Sequence, residues 1–74
     1  MTTAELHPYQ DKTVVVRLSD GEVATVKIIL VDSEHEDIVV DIIHTDRPEQ
    51  YKGLPNSAYT IRSADIVSLS EISG

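Results

Sequence analysis

The residues with the clearest chemical potential form an acidic turn that contains a histidine. The segment DSEHED, residues 32–37, places His35 beside Glu34, Glu36 and Asp37. Imidazole and carboxylate groups are common metal ligands, so one loop could present several of them. Adjacent residues in an acidic turn more often serve only to keep that turn in water, and we favour this interpretation. We therefore predict no metal site.

The sequence offers no constellation typical of an enzyme. It has no Cys, and its serines at 63, 68, 70 and 73 have neither a nearby His nor a Gly-x-Ser-x-Gly setting. Its three glycines are isolated, so no phosphate-binding loop is present. Acid catalysis needs two carboxyl groups in different environments, and no such pair can be identified. We predict a binding protein that uses no cofactor.

The charge of the chain limits the partners it can take. Thirteen acidic and six basic residues give a net charge of −7, a field that repels phosphate. Without Phe or Trp, the chain also lacks most stacking platforms of single-strand binders. Tyr51, with Arg47 and Lys52 in the same loop, could contact RNA by stacking. Residues of this kind more often simply form a solvated surface, and we favour that interpretation. Unless the few cations are clustered, we do not expect generic coating of DNA.

The length favours a single small domain that associates with further copies. A chain of 74 residues buries a thin core, and the absence of Cys removes disulfides as a source of stability. No apolar run approaches the roughly 20 residues that span a bilayer, and the first residues lack the layout of a signal peptide. We expect a cytoplasmic protein without a membrane partner.

Alternating β-branched residues predict five strands. The first two are TVVVRL at 13–18 and VATVKIILV at 23–31, and Asp20-Gly21 between them predicts an antiparallel hairpin. The end of the second strand is expected to be buried on both faces. The remaining strands are IVVDIIH at 38–44, YTIR at 59–62 and IVSLSEI at 66–72, with a tight turn, SAD, before the last.

The other segments are predicted to be irregular. Residues 45–57 carry two prolines and a glycine, which indicates a loop with little regular structure. Near the start, Thr3 could cap one helical turn before Pro8 interrupts it. Five short strands with exposed edges favour curling into a barrel. The expected fold is all-β, with a short N-terminal segment at 1–12 and a barrel at 13–72.

The order of these segments resembles the Sm and Sm-like family. The family's first motif runs from an alternating strand and an Asp-Gly type of turn to a long strand and an aspartate-bearing turn, matched here by VVVRLSDG, ATVKIILVD and DIVVD. Its second motif, Ile-Arg-Gly followed by two residues and an apolar strand, is matched by IRSADIVSL. The resemblance implies a strongly bent five-stranded barrel of the SH3 type.

The resemblance also implies a homo-oligomeric ring, a hexamer or heptamer. Its copies would pair through the edge strands at 59–62 and 66–72, which include Tyr59, Ile61, Ile66 and Ser68. A monomer whose edges are covered by the 45–57 loop is the alternative.

Single-stranded RNA is the ligand that the resemblance implies, bound at the rim of the ring. Asp37 stands where the family has an Asn, His35 lies near the stacking position, Arg62 matches the family's Arg, and Ser63 replaces its Gly. An Asp lacks the amide donor of Asn and adds a negative charge. The alternative function is a small SH3-like module that binds a protein partner and no nucleic acid, which the acidity favours.

Overall fold

The computed structural model describes residues 1–51 and 58–72. The chain begins with helix α1 (Thr3–Leu6), which continues into a 3-10 helix at His7–Tyr9. The N-cap is Thr2 and not Thr3 as predicted, because Thr2 and Glu5 form a reciprocal capping box. The α-helix is one turn long and ends before Pro8, as predicted. Pro8 lies in the first turn of the 3-10 helix, where a proline is tolerated.

Five antiparallel strands form one sheet in the order β4-β3-β2-β1-β5. The strands are β1 (Thr13–Leu18), β2 (Val23–Asp32), β3 (Asp37–Thr45), β4 (Ala58–Arg62) and β5 (Ile66–Glu71). The prediction of a small all-β, barrel-like fold with five strands is therefore confirmed. The SAD segment before β5 forms a 3-10 helix, Ser63–Asp65.

The hairpin between β1 and β2 has the predicted Asp-Gly turn. Gly21 adopts a φ of 93°, a conformation that most residues with a Cβ avoid. The backbone N–H of Leu18 donates to the carbonyl of Glu22 at 2.8 Å and closes the hairpin. The two strands pair antiparallel, with Val14 opposite Val26.

The end of β2 differs from the prediction that it is buried on both faces. Ile29 and Leu30 are 38% and 47% exposed, whereas Val31 is buried. The register between β2 and β3 shifts between Ile28 and Leu30, and such a bulge moves the residues that follow to the other face of the sheet. Regular alternation, which would place Ile28 and Leu30 on one face, therefore fails at this point.

The core lies on the inner face of the bent sheet and is covered at one end by Leu6 of α1. Its buried residues alternate along the strands and are Leu6, Val14, Val16, Ala24, Val26, Ile28, Val31, Ile38, Val40, Ile61 and Ile66. Of the predicted 45–57 loop, Thr45 belongs to β3 and Pro48–Tyr51 forms a 3-10 helix. Residues 52–57 of that loop lie outside the described residues.

Within the described ranges, none of the helices has the length and apolar character needed to cross a lipid bilayer.

Candidate functional site

The β2–β3 turn, residues 33–36, is organised by the aspartate that precedes it. Oδ1 of Asp32 accepts hydrogen bonds from the backbone N–H groups of Glu34 and His35 at 3.0 and 3.1 Å. This is the local pattern by which Asp residues stabilise turns. Glu36 then adopts a φ of 56°, in the left-handed region, and returns the chain to β3.

His35 is held in the turn by its ring. Its Nδ1 lies 2.8 Å from Oδ2 of Asp32. The hydrogen bond with this carboxylate, together with its negative charge, raises the pKa of His35 above the ordinary value of 6.5. The same hydrogen bond, aided by the backbone N–H of His35, lowers the pKa of Asp32. The imidazole is therefore positioned at the surface and biased towards its charged form.

Ser63 connects this turn to the end of β4. Its backbone N–H and its Oγ both donate to the carbonyl oxygen of Glu36, at 3.0 and 2.9 Å. The side chain is buried, with 5% of the residue exposed. Ser63 thus fixes the turn against the 3-10 helix that follows β4.

Arg62 and Asp37 lie directly opposite each other on β4 and β3. The ion pairs among the described residues, Lys12–Glu71, Asp32–His35 and Asp20–Arg47, do not include Arg62. Arg62 is exposed, and its guanidinium can therefore reach a ligand without breaking one of these pairs.

A cleft of about 370 Å³ lies between the β2–β3 turn and the N-terminal helix, and we call it the turn cleft. Its lining includes His35, Glu36, Arg62 and Ser63 together with Thr2 and Glu5. Three of the four predicted ligand contacts, His35, Arg62 and Ser63, thus line one cleft, and Asp37 is the neighbour of Arg62 across the strands. Two carboxyl groups, those of Glu5 and Glu36, line it as well.

No protein-family model, curated protein or solved structure significantly matches this chain.

The metal interpretation of the acidic turn finds no support in the geometry. Within residues 1–51 and 58–72, no three His, Asp or Glu side chains are grouped as ligands for a metal ion. The carboxyl group of Asp32 is instead engaged in the hydrogen bonds of the turn.

The second predicted group of RNA contacts is only partly described. Nη1 of Arg47 lies 3.3 Å from Oδ2 of Asp20, and its Nη2 donates to the carbonyl of Asp20 at 2.9 Å. Arg47 therefore braces the β1–β2 turn. Lys52 lies outside the described residues, as does the side chain of Tyr51.

Two features of this region escaped the sequence analysis. The role of Asp32 could have been found, because an Asp that opens a turn is a recognised local signal. No local sequence pattern predicts that Thr2 and Glu5 line the cleft, because their position depends on how the N-terminal segment packs against the rest of the fold. The amino group of Met1 donates to the carbonyls of Ser63 and Ile66 at 3.0 and 2.7 Å, which ties that segment to the site.

The predicted edge residues lie on the two outer strands of the sheet. Tyr59 and Ile61 belong to β4, and Ile66 and Ser68 belong to β5. Ile61 and Ile66 are buried in the core, Tyr59 is half-buried and Ser68 is exposed.

Proposed function

We propose that this chain is an Sm-like protein that assembles into a homo-oligomeric ring and binds single-stranded RNA at the turn cleft. The observation that carries the proposal is that, among residues 1–51 and 58–72, no strand pairs with the outer side of β4 or of β5, and that the turn cleft lies beside the end of β4. The order of the two sequence motifs, which resembles that of the Sm-like family, also supports the proposal.

The free edges favour association because a strand edge carries unpaired backbone donors and acceptors. Apolar side chains are exposed in β5 and directly after it: Val67 is 60% exposed, and Ile72, the residue that follows the strand, is 48% exposed. Pairing β4 of one copy with β5 of the next uses both edges of every subunit. Such a head-to-tail contact forms a ring when its rotation closes.

The proposed RNA contact rests on Arg62 and His35. Arg62 supplies a guanidinium for phosphate or a base edge, and His35 supplies a flat ring for stacking. The raised pKa of His35 favours the charged form of its ring, which adds positive charge to the cleft. Glu5, Glu36 and Asp37 oppose this attraction, so we expect weak binding that depends strongly on salt.

The test measures mass and RNA binding on the full chain. Light scattering after size exclusion, with and without uridine-rich or adenine-rich RNA at two salt concentrations, should give a multi-subunit mass that takes up RNA. Arg62→Ala should weaken RNA binding while the mass is unchanged, and should reduce the salt slope by about 1. Lys27→Ala is the matched control, because Lys27 is exposed on β2 and does not line the cleft. A monomer in all conditions contradicts the ring.

A second candidate is a module that binds a cationic protein segment through the same surface. The observation that favours it is the net charge of −7, with acidic residues concentrated in and around the β2–β3 turn. A ring that ignores both RNAs at low salt would favour this function over RNA binding.

A further inference from the structure

Three register shifts bring extra side chains to the outer face of the sheet, which is the side away from the core. In β2, Ile29 and Leu30 form a consecutive pair between Ile28 and Val31, which are both buried. The pair lies opposite Val39, and Ile29 has no partner of its own in β3. Such a bulge places two neighbouring side chains on one face, where regular alternation would place one.

The shifts in β3 and β5 follow the same pattern. Ile43 is the extra residue in β3, and Val67 is the extra residue in β5. Ile43 is 58% exposed, and Val67 is exposed to a similar degree. Together with Ile29, the extra residue at each of the three shifts is therefore an aliphatic side chain that faces solvent.

These side chains border a common region of the outer face. Val15, in β1, lies opposite Thr25 on one side and Ser70 on the other. Thr25 in turn lies opposite His44, the neighbour of Ile43. Single exposed aliphatic residues need no explanation, but a group of them on one face marks an interaction surface. The outward-facing aliphatic residues are Val15, Ile29, Leu30, Val39, Ile43 and Val67.

The outer face also differs in charge from the rest of the molecule. Arg17 and Lys27 occupy outward-facing positions of β1 and β2, and neither belongs to an ion pair among residues 1–51 and 58–72. Apart from the residues on either side of the β2–β3 turn, Asp41 is the single carboxylate at an outward-facing position of the five strands. Because the whole chain carries a net charge of −7, this face separates two cations from most of the acidic residues.

We propose that the outer face of the sheet binds an acidic protein segment that carries aliphatic side chains. The carboxylates of that segment pair with Arg17 and Lys27, and its aliphatic side chains cover Ile29, Ile43 and Val67. Opposite charges set the orientation of the segment, and burial of aliphatic surface supplies affinity. These five residues are absent from the lining of the turn cleft, so the surface is separate from the proposed RNA site and does not depend on the ring.

The chemistry of the face favours this occupant over two others. The aliphatic side chains offer neither a ring on which a base could stack nor a donor or acceptor for its edge, so RNA would leave them uncovered. A second copy of this chain could supply carboxylates from its acidic turn, residues 32–37, but that turn has no aliphatic side chain. Only a segment with both kinds of side chain matches the whole surface.

Binding of a synthetic peptide to the full chain, followed by NMR, tests the proposal. The probe is a peptide with Leu along one face and Glu on the others. In one control peptide every Glu is replaced by Lys, and in the other every Leu is replaced by Ser. The probe should shift the amide resonances of Ile29, Ile43 and Val67, and should bind at least about tenfold more tightly than either control peptide.

Variants of the protein identify the side chains that bind the probe. Arg17→Gln/Lys27→Gln removes both charges, and Ile43→Thr/Val67→Thr removes aliphatic surface while keeping β-branched residues in the strands. Each double variant should weaken binding of the probe by about tenfold, with an unchanged circular dichroism spectrum. Lys12→Gln is the matched control and should bind like the parent, because Lys12 is an exposed cation that precedes β1.

The remaining outcomes decide against the proposal. Equally tight binding of either control peptide, or no shift at the outer face with the probe, would overturn it. Displacement of the probe by uridine-rich RNA would assign the face to nucleic acid, and concentration-dependent shifts of the protein alone would assign it to a second copy. The mass from light scattering reports on the ring separately, so failure of this proposal and failure of the ring are distinguishable.

Discussion

The β1–β2 turn and the β2–β3 turn begin with the same type of side-chain hydrogen bond but differ in how deeply the residues next to it are buried. In each, an Asp carboxylate accepts a hydrogen bond from the backbone N–H two residues later: Asp20 from Glu22 at 2.9 Å, and Asp32 from Glu34 at 3.0 Å. The second turn projects into solvent, with residues 33–36 exposed. The first turn is followed by Glu22, whose side chain is almost completely buried.

Glu22, at the end of the first turn, is only 1% exposed. Oγ1 of Thr45, in β3, donates to Oε2 of Glu22 and also accepts from the N–H of Arg47 at 3.1 Å. Arg47 in turn contacts Asp20. This set of contacts joins the hairpin to the end of β3 and excludes water from the carboxyl group.

The difference teaches that burial, more than residue type, decides the role of an acidic side chain here. A buried polar group contributes to stability through its hydrogen-bond partners and is costly to disturb. An exposed pair is screened by water and contributes little, but its groups are accessible to a ligand. The first turn is therefore a structural joint, whereas the side chains of the second turn remain exposed to solvent.

The largest effect is expected from Glu22→Ala. It removes the acceptor of the Thr45 hydroxyl in a buried setting, so the free energy of unfolding should fall by about 1–3 kcal/mol. Urea denaturation followed by circular dichroism, at one fixed protein concentration, measures this change. Glu34→Ala, an exposed change in the other turn, should stay within about 0.5 kcal/mol of the parent. Equal losses in both variants would abolish the contrast between the turns.

A smaller effect is expected from Ser63→Ala, because it removes one of the two hydrogen bonds that hold the second turn. The backbone N–H of Ser63 still donates to Glu36, so the free energy of unfolding should fall by about 0.5–1.5 kcal/mol. Ser33→Ala, at an exposed position of the same turn, is the control in the same denaturation assay. A loss as large as that of Glu22→Ala would show that the second turn is a structural joint as well.

The smallest effect on stability is expected from the exposed pair of Asp32 and His35. Because the pKa of His35 is raised in the folded state, its contribution is complete below about pH 6.5 and is lost as pH rises through the folded pKa. The pKa of Asp32 is lowered, so its contribution is present above about pH 3.8 and is lost as pH falls through the folded pKa. The pair therefore contributes most between these two values.

An NMR titration of the His35 ring measures this directly. The pKa of His35 should lie above 6.5 in the parent and decrease in Asp32→Asn, which keeps the shape of the side chain but removes its charge. An unchanged pKa in the variant would show that Asp32 does not hold the imidazole.

The sequence predicted the parts of the fold that depend on neighbouring residues. Alternation of β-branched residues placed all five strands to within a few residues, and Asp20-Gly21 placed the first hairpin. It failed at Ile29 and Leu30, because a bulge depends on how β2 fits β3 and not on β2 alone. For the candidate site, His35, Asp37, Arg62 and Ser63 were identified by their order in two motifs, and the structure places them in one region.

Other features were decided by tertiary structure alone. Thr45 and Glu22 are 23 positions apart, and Ser63 and Glu36 are 27 apart, so no local pattern connects either pair. The sequence by itself determined which segments extend, which turn and which face of most strands is apolar, because these properties follow from short-range sterics and from solvation. Sheet order and the burial of Glu22 follow from packing between distant segments, and only the folded chain could decide them.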